Sequence, residues 1–281
     1  MSRNRDRMGV DSAPQQADPP INQMMNNEQT FSFVVPTEFV ELPSKGRFYP
    51  QGHPLQNQEV IEIKQMTAKE EDILTSRSLL KQGVAVDRVL QSIIVDPRID
   101  ASTLLVGDRN AIIISCRVSG YGSDYTTKIT CPSCGEKSQY TFDLNEAEIS
   151  DGDTYDVKQN DDGTFSTVLP KSGLSVDFRL LTGRDEKFLT QGQTTKNKNK
   201  PDRIITTQLR GMLVAVNDNT TPQALNYVVE NLPSMDSKHL RDVYKSVQPN
   251  VDLTQHYCCP ECNYETDMEV PLTADFFWPD R

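Results

Sequence analysis

Two short cysteine motifs, far apart in the chain, constrain the fold of this 281-residue protein more than any other feature. The first reads CPSC, from Cys131 to Cys134, and the second reads CPEC, from Cys259 to Cys262. A structural zinc ion takes four ligands in a tetrahedron, and each motif supplies two thiolates. The sequence therefore predicts one structural zinc ion per chain, bound by all four cysteines, with the two distant segments meeting at the ion.

Other interpretations of the cysteines stay open. The thiols could be reduced and without metal, or each pair could be half of a site completed by a second chain. His256 and Cys258 are rival ligands, although neither has a counterpart near the first motif. A thioredoxin-like redox pair is disfavoured because it opens a helix, whereas both motifs here lead into alternating apolar patterns typical of strands. Cys116 lies in an apolar, helix-like segment and is predicted to be a small core residue.

The residue after each motif suits a tight turn. Gly135 follows the first motif and Asn263 follows the second. The turn of a zinc knuckle needs a left-handed backbone, which glycine adopts freely and asparagine adopts more readily than most other residues. Both motifs are therefore predicted to form knuckles that carry a hairpin.

Two sequence offsets predict an internal repeat. An offset of 128 residues aligns the cysteine motifs and also Asp108 with Asp236, and each aspartate is a predicted helix N-cap. An offset of 115 residues aligns MTAKEEDIL with LTGRDEKFL, in which Thr67 and Thr182 are predicted to begin capping boxes. The same offset aligns DRVL at 87–90 with DRII. The change in offset predicts an extra helical piece around TPQALNYVVENLP in the second copy.

The predicted fold class is α+β, built from two pseudo-repeats. Each repeat has a β-rich arm, a small helical bundle and a CxxC zinc-knuckle hairpin, and the two repeats join at one four-cysteine, zinc-ribbon-like site. Residues 1–30 are rich in Gln, Asn, Asp and Pro and are predicted to be a disordered N-terminal tail. Residues 31–148 are the predicted first repeat, and residues 149–281 the second.

Composition and motifs exclude several functions. A net charge of −11 argues against a surface that neutralises nucleic-acid phosphates. No apolar run approaches the length of a membrane span, and the N-terminus lacks a signal peptide, so we expect a cytoplasmic protein without membrane contact. The three histidines lie in no known catalytic pattern, and a zinc ion held by four thiolates has no open position. We therefore expect neither enzymatic activity nor a small-molecule substrate.

One irregular segment is a candidate partner-binding surface. VELPSKGRFYPQGHPL combines two cations, Lys45 and Arg47, with two aromatic residues, Phe48 and Tyr49. Arginine and tyrosine are common anchors at protein interfaces, so this arm is predicted to dock on a partner. The alternative is a proline-rich turn whose aromatic rings pack on their own domain.

Two further segments are rich in lysine or in aromatic residues. QTTKNKNKP carries three lysines and is predicted to be a solvated loop. The closing DFFWPDR places Phe276, Phe277 and Trp278 near the end of the sequence. These aromatic residues are predicted to seal the zinc hairpin, with an anchor for a partner as the alternative.

Several phrases in a fixed order carry a family resemblance. LPSKGRFYPQGHPL, MTAKEED, CPSCG, LPSMDSKHLRDVY and the closing CPEC and EVPLTADFFWP together resemble the baseplate proteins of T-even-type tailed bacteriophages. More narrowly, the chain is similar to the baseplate hub assembly proteins of that family. The resemblance covers about residue 38 to the end. Its knuckles map onto the four cysteines, its arm maps onto residues 42–49, and it brings no catalytic residues.

The resemblance implies a viral protein of the host cytoplasm that builds the hub of the tail. Its partners would be other phage tail or baseplate hub proteins. It would act as an assembly factor or chaperone, or remain as a stoichiometric subunit of the virion baseplate. The competing class is a zinc-ribbon adaptor for nucleic acid, but the sequences that flank both knuckles are acidic, and no basic face is evident.

Overall fold

The computed structural model describes residues 35–152, 157–194, 204–271 and 276–277. The predicted N-terminal tail and the lysines of the predicted basic loop, at 196, 198 and 200, lie outside these residues. The described part is α+β, as predicted, and contains eight α-helices and twelve strands. None of these helices has the length and the apolar character that crossing a membrane requires.

Helices and strands alternate in clusters along the chain. The helices are α1 Ala68–Thr75, α2 Arg77–Gln82, α3 Ala85–Ile93, α4 Val106–Tyr121, α5 Gly183–Thr194, α6 Ile204–Met212, α7 Pro222–Asn231 and α8 Ser234–Val247. The strands are β1 Thr37–Glu41, β2 Val60–Lys64, β3 Asp124–Thr130, β4 Lys137–Asp143, β5 Glu148–Ser150, β6 Lys158–Gln159, β7 Phe165–Val168, β8 Ser175–Phe178, β9 Leu213–Val216, β10 Asn250–Asp252, β11 Thr254–Cys258 and β12 Glu265–Glu269.

The strands form small antiparallel sheets instead of one large sheet. In the described ranges, four sheets have two strands each, namely β1–β2, β3–β4, β5–β10 and β11–β12, and one sheet has the order β6-β7-β8-β9. The β5–β10 sheet matters most for the site because it joins a strand after the first hairpin to the strand just before the second hairpin. The predicted boundary between residues 148 and 149 falls inside β5.

The first helix of each half begins as the sequence predicts. The Thr67 hydroxyl accepts from the Lys69 amide, and the Glu70 carboxylate accepts from the Thr67 amide at 3.0 Å, so the predicted capping box is confirmed. At the start of α5 the Asp185 carboxylate accepts from the Thr182 amide at 2.9 Å and from its hydroxyl at 2.8 Å. These contacts satisfy amides that have no partner inside a helix.

The same succession of elements occurs twice in the described residues. A strand pair and a capped helix are followed, after the short α2 in the first half and directly in the second, by a helix whose end contacts the inner strand of that pair. In the first half this contact is the bridge Ile63↔Ile94, and in the second half it is the pairing of β8 with β9 at Phe178↔Leu213. A further helix and a knuckle hairpin complete each half, and α7 lies where the extra helical piece is predicted. A duplication that explains this order stays a prediction.

The prediction that Asp108 and Asp236 are N-caps is wrong. Helix α4 begins at Val106 and α8 begins at Ser234, so both aspartates lie inside the first helical turn. Both side chains are buried and accept hydrogen bonds from a distant loop. A helix-start rule places an acidic residue near the N-terminus, but it does not see a loop 64 or 65 residues away that needs an acceptor.

Candidate metal centre

Two similar β-hairpins bring the four cysteines together. The β3–β4 hairpin pairs in continuous register as far as Thr130↔Lys137, and Cys131 and Cys134 lie in the turn between the strands. The β11–β12 hairpin ends at Cys258↔Glu265, with Cys259 and Cys262 in its turn. A two-stranded antiparallel ladder fixes the position of its turn, so each hairpin presents its pair of thiols at the tip.

The hairpins are held side by side by contacts between their strands. The Gln255 side-chain amide donates to the Asp143 carbonyl oxygen at 2.7 Å, and the Tyr140 hydroxyl donates to the His256 carbonyl oxygen at 3.2 Å. The rings of Tyr140 and Tyr257 meet edge to face with centroids 5.0 Å apart. The two turns therefore lie next to each other through contacts that do not involve the thiols.

The four sulphur atoms have the spacing of a tetrahedral zinc site. They lie within 4.8 Å of one another, with 3.7 Å between the sulphurs of Cys131 and Cys262 and 3.9 Å between those of Cys134 and Cys259. Zinc–sulphur bonds of about 2.3 Å in a regular tetrahedron put the sulphurs about 3.8 Å apart. A disulfide bond needs about 2.05 Å. The donor set and its spacing thus fit a zinc ion and do not fit disulfides.

The two knuckles have matching backbone turns. Gly135 has φ of 75° and Asn263 has φ of 54°, so the left-handed conformation predicted for both residues is confirmed. The Gly135 amide donates to the Cys131 carbonyl oxygen at 2.9 Å, and the Asn263 amide donates to the Cys259 carbonyl oxygen at 3.0 Å. A glycine and an asparagine thus complete the same turn with the same hydrogen bond.

The thiols differ in their ionisation. Backbone amides of Cys262 and Glu261 lower the pKa of Cys259 to about 6, because they stabilise the thiolate. The pKa of Cys262 rises to about 12: the Tyr264 amide favours its thiolate, but partial loss of hydration at the sulphur and the neighbouring sulphurs oppose a second negative charge. A bound zinc ion would supply the positive charge that allows all four groups to ionise together. Cys131 and Cys259 are buried, whereas Cys134 and Cys262 are exposed.

The rival ligands are not part of the cluster. His256 lies in β11 with its Nδ1 3.5 Å from a carboxylate oxygen of Asp267. Cys258 does not belong to the group of four. Cys116 is buried in α4, as predicted for a core residue, and burial raises its pKa to about 12.

The predicted partner-binding residues lie apart from this centre and divide into two kinds. Phe48 and Tyr49 are each only 4% exposed, so neither ring offers a surface to a partner. The Phe48 ring packs on Phe165 with centroids 5.3 Å apart. Lys45 and Arg47 remain about 40% exposed, and their side chains lie 3.2 and 3.5 Å from the Asp151 carboxylate. A partner-binding role for the two cations stays a prediction.

Sequence reasoning missed what fixes this arm. The Ser44 amide, the Ser44 hydroxyl and the Tyr49 hydroxyl all donate to the buried Asp108 carboxylate, at 2.9, 2.6 and 2.8 Å. In the second half, the amides of Lys171 and Ser172 donate to Asp236 at 2.7 and 2.9 Å. The signal was present in the sequence: LPSKG at 42–46 and LPKSG at 169–173 are near-copies, and each loop lies over one of the aspartates.

The terminal aromatic residues pack inside the fold. Phe276 and Phe277 are buried, and the Phe276 ring meets Tyr125 of β3 edge to face at 5.1 Å. The buried Arg117 side chain donates to the Phe276 carbonyl oxygen at 2.7 Å and to the Asp124 carbonyl oxygen at 3.0 Å. These contacts favour the sealing role over an exposed anchor, while Trp278 lies outside the described residues.

Comparison with known families gives one match. The model of a family described as T4 bacteriophage base plate protein matches residues 35–278. No curated protein and no solved structure matches the chain.

Proposed function

The chain belongs to the T4 bacteriophage base plate protein family, and from this premise we propose that it acts in assembly of the phage tail hub by binding other tail proteins. The family match, which covers residues 35–278, is the observation that carries the proposal. It also confirms the resemblance to T-even-type baseplate proteins. The narrower role in the hub is supported by the order of the family-like phrases from LPSKGRFYPQGHPL to EVPLTADFFWP.

The four-cysteine centre is the proposed cross-link between the two halves of the fold. We propose that it binds one structural zinc ion per chain and so cross-links the two hairpins, which lie 128 residues apart in the sequence. A metal that bridges distant segments stabilises the folded state only, because the unfolded chain does not hold the four ligands together. Elemental analysis of the intact purified protein tests this: we expect about one zinc per chain, and none would overturn it.

The recurring element order supports the pseudo-repeat interpretation. Both halves have the same knuckle turn, the same kind of loop over a buried aspartate, and the same contact between a helix end and an inner strand. We propose that the halves are divergent copies, with α7 as an insertion in the second.

The proposed activity is binding, without catalysis. Four thiolates fill the coordination sphere of a zinc ion, so the centre offers no position for a substrate or an activated water. The chain therefore acts through its surface, in the host cytoplasm during infection and, if it stays with the tail, in the virion baseplate.

Two versions of the role differ in stoichiometry. In the version that we favour, the chain is an assembly factor or chaperone that brings a hub component into place and leaves. In the other version it is a permanent baseplate subunit. Quantitative mass spectrometry of purified virions separates them, because presence at a fixed copy number per baseplate would contradict the factor that leaves.

A capture experiment tests the binding function itself. The tagged full-length chain is expressed in infected cells, recovered under mild conditions, and its partners are identified by mass spectrometry. We expect tail or baseplate proteins to be recovered in amounts comparable to the chain. Recovery of no tail protein would overturn the proposal, and binding to nucleic acid with a steep salt dependence in a gel shift would favour the adaptor class instead.

A further inference from the structure

Among the described residues, strand β1 has one edge without a partner strand. Within the described part of the chain it pairs only with β2, in a sheet of two strands. Two hydrogen bonds fix which residues face β2: the Leu42 amide donates to the Glu59 carbonyl oxygen at 2.8 Å, and the Gln65 amide donates to the Pro36 carbonyl oxygen at 2.9 Å. Even-numbered residues of β1 therefore bond to β2.

The odd-numbered residues of β1 point their main-chain groups the other way. In an antiparallel pair, successive residues of a strand direct their N–H and C=O groups to opposite edges. The amides and carbonyls of Thr37, Phe39 and Glu41 therefore lie on the outer edge, and no bond to them from another described residue is present. All three side chains are exposed, and Phe39 is 69% exposed in the middle of the strand.

The helix beneath β1 does not cover this edge. The Ser115 hydroxyl of α4 donates to the Glu38 carboxylate at 3.2 Å, and Val40 is buried. Because side chains alternate between the two faces of a strand, these contacts place α4 on the inner face. The outer edge and the face with Phe39 are left open by α4.

The second half shows what such an edge can hold. Strand β7 occupies the place of β1 in the recurring order and pairs with β8 on one side. On its other side it pairs with β6, Lys158–Gln159, in antiparallel register. The fold thus accepts an added strand at this position, and the described residues of the first half do not provide one.

The chemical groups on the outer edge of β1 indicate which kind of segment would bind there. Three outward amides and three outward carbonyls match an extended backbone, which adds as a further strand. Phe39 offers an apolar contact, and on the same face the carboxylates of Glu41 and Glu62 outnumber the one cation, Lys64 opposite Thr37, so that the net charge around Phe39 is negative. We propose that the outer edge of β1 binds an extended segment of another tail protein, with an apolar side chain against Phe39 and a Lys or Arg beside Glu41.

A second copy of the chain fits this edge less well. The strand TEFVE carries two carboxylates, and the whole chain has a net charge of −11. Self-pairing would bring like charges together across the new strand pair, which is unfavourable, whereas a cationic segment would be attracted. The proposal rests on the proposed binding function and specifies the surface that carries it.

Site-specific photo-crosslinking in infected cells tests the surface. A benzophenone amino acid replaces Phe39 in the tagged full-length chain, and a second variant carries the same group at Val168. Val168 is the comparison position because it is 62% exposed at the end of β7, a strand that pairs with β8 along its length and with β6 through Phe165 and Ser166. We expect position 39 to crosslink to a Lys- or Arg-containing segment of a tail protein, and position 168 to give little product.

Two substitutions at Phe39 separate the main chain from the side chain. Phe39→Pro removes an outward amide that takes no part in the pairing with β2, so the fold is kept, and its ring blocks an added strand. Phe39→Ala removes only the apolar contact. Recovery of the tail protein should fall at least about tenfold for Phe39→Pro and about threefold for Phe39→Ala, while Val168→Ala should match the parent.

The results distinguish this proposal from the proposed function. If the parent chain recovers no tail protein, the function itself fails. If the parent recovers a tail protein and Phe39→Pro recovers the same amount with an unchanged melting temperature, only the edge proposal fails. A crosslink from position 39 to a second copy of the chain would overturn the proposed occupant.

Amide hydrogen exchange on the free full-length chain tests whether the edge is open. The Thr37, Phe39 and Glu41 amides should exchange quickly, whereas the Glu38 and Val40 amides, which bond to β2, should be protected. On addition of the crosslinked partner segment as a synthetic peptide, the three outward amides should become protected as well. Slow exchange of these three amides in the free monomer would show that the chain covers its own edge and would overturn the proposal.

Discussion

The two halves of the molecule hold equivalent loops against equivalent aspartates, but with different donors. Asp108 accepts from one backbone amide and two hydroxyls, whereas Asp236 accepts from a backbone amide on each of its two carboxylate oxygens. Burial raises the pKa of Asp108 despite its hydrogen bonds. Burial acts in the same direction on Asp236, but hydrogen bonds from the Lys171 amide and from the side chain and amide of Ser172 outweigh it and lower the pKa.

The difference shows that one fold position can be held in two chemically distinct ways. A backbone amide can only donate, so the second loop requires an acceptor on both oxygens of Asp236. A hydroxyl can donate or accept, so the first loop tolerates a changed partner. Replacing the carboxylate should therefore destabilise the protein more at Asp236, under the second loop, than at Asp108, under the first. By contrast, loss of a cysteine ligand from either hairpin should weaken the shared metal centre to the same extent.

The largest effect is expected at the metal centre. Because one centre uses both hairpins, Cys131→Ser and Cys259→Ser should each reduce bound zinc from about one to near zero per chain and lower the melting temperature by more than about 10 °C. Elemental analysis and thermal unfolding measure the two effects. Cys258→Ser is the matched control, since Cys258 lies outside the cluster and should keep its zinc. Full zinc retention by either cluster variant would contradict a single shared centre.

The second prediction tests the two aspartates directly. Asp236→Asn replaces one of the two accepting oxygens with an NH₂ group, so one backbone amide of the loop faces a donor, and we expect the melting temperature to fall by about 5 °C. Asp108→Asn should cost about 2 °C or less, because the new amide group can donate to the hydroxyl of Ser44 or Tyr49 and the buried charge is removed. Differential scanning calorimetry of the two variants compares them. Equal falls in melting temperature would show that the type of donor does not determine how much each loop depends on a carboxylate.

Much of the candidate site could be predicted from the sequence because its signals are local. A C-P-x-C motif followed by Gly or Asn indicates a knuckle by itself, and the capping box at Thr67 lies within four residues. The partner of Asp108 could not be predicted in the same way, because the helix-start pattern contains no information about a loop 64 residues away. For the same reason, composition alone did not show that Phe48 packs on Phe165.

The repeat alignment fails where only packing fixes the register. The offset of 115 places Val89 and Leu90 on Ile204 and Ile205, but the first two are buried and the last two are about half exposed. The sheet contacts instead place the residue after α3, Ile94, where Leu213 lies after α6. A helix can shift by one turn and keep its apolar stripe, so the periodicity of the sequence does not determine this register.

The third prediction concerns pH. A lowered pKa in the folded state, as for Asp236, contributes stability above the unfolded pKa, and this is lost as the pH falls through the folded pKa. A raised pKa, as for Asp108, contributes stability that is present below the unfolded pKa and is lost as the pH rises through the folded pKa. From about pH 7 to about pH 3, the advantage of the parent over Asp236→Asn should shrink, while the parent should gain relative to Asp108→Asn. Melting temperatures across this range measure both trends, and parallel trends would contradict the assignment.

The smallest effect is expected on the exposed side of the first loop, where Lys45 and Arg47 flank Asp151. These ions are about half exposed, so water and salt screen them, and Asp151→Asn should lower the melting temperature by less than about 2 °C. The parent and the variant should converge further in about 1 M salt, where the screening length is about 3 Å. Thermal unfolding at low and high salt measures both effects. A loss as large as that of Asp236→Asn, and one that persists in salt, would mean that exposed ion pairs hold the first loop more firmly than its buried aspartate. The difference in stability between Asp108→Asn and Asp236→Asn would then not measure how firmly each loop is held.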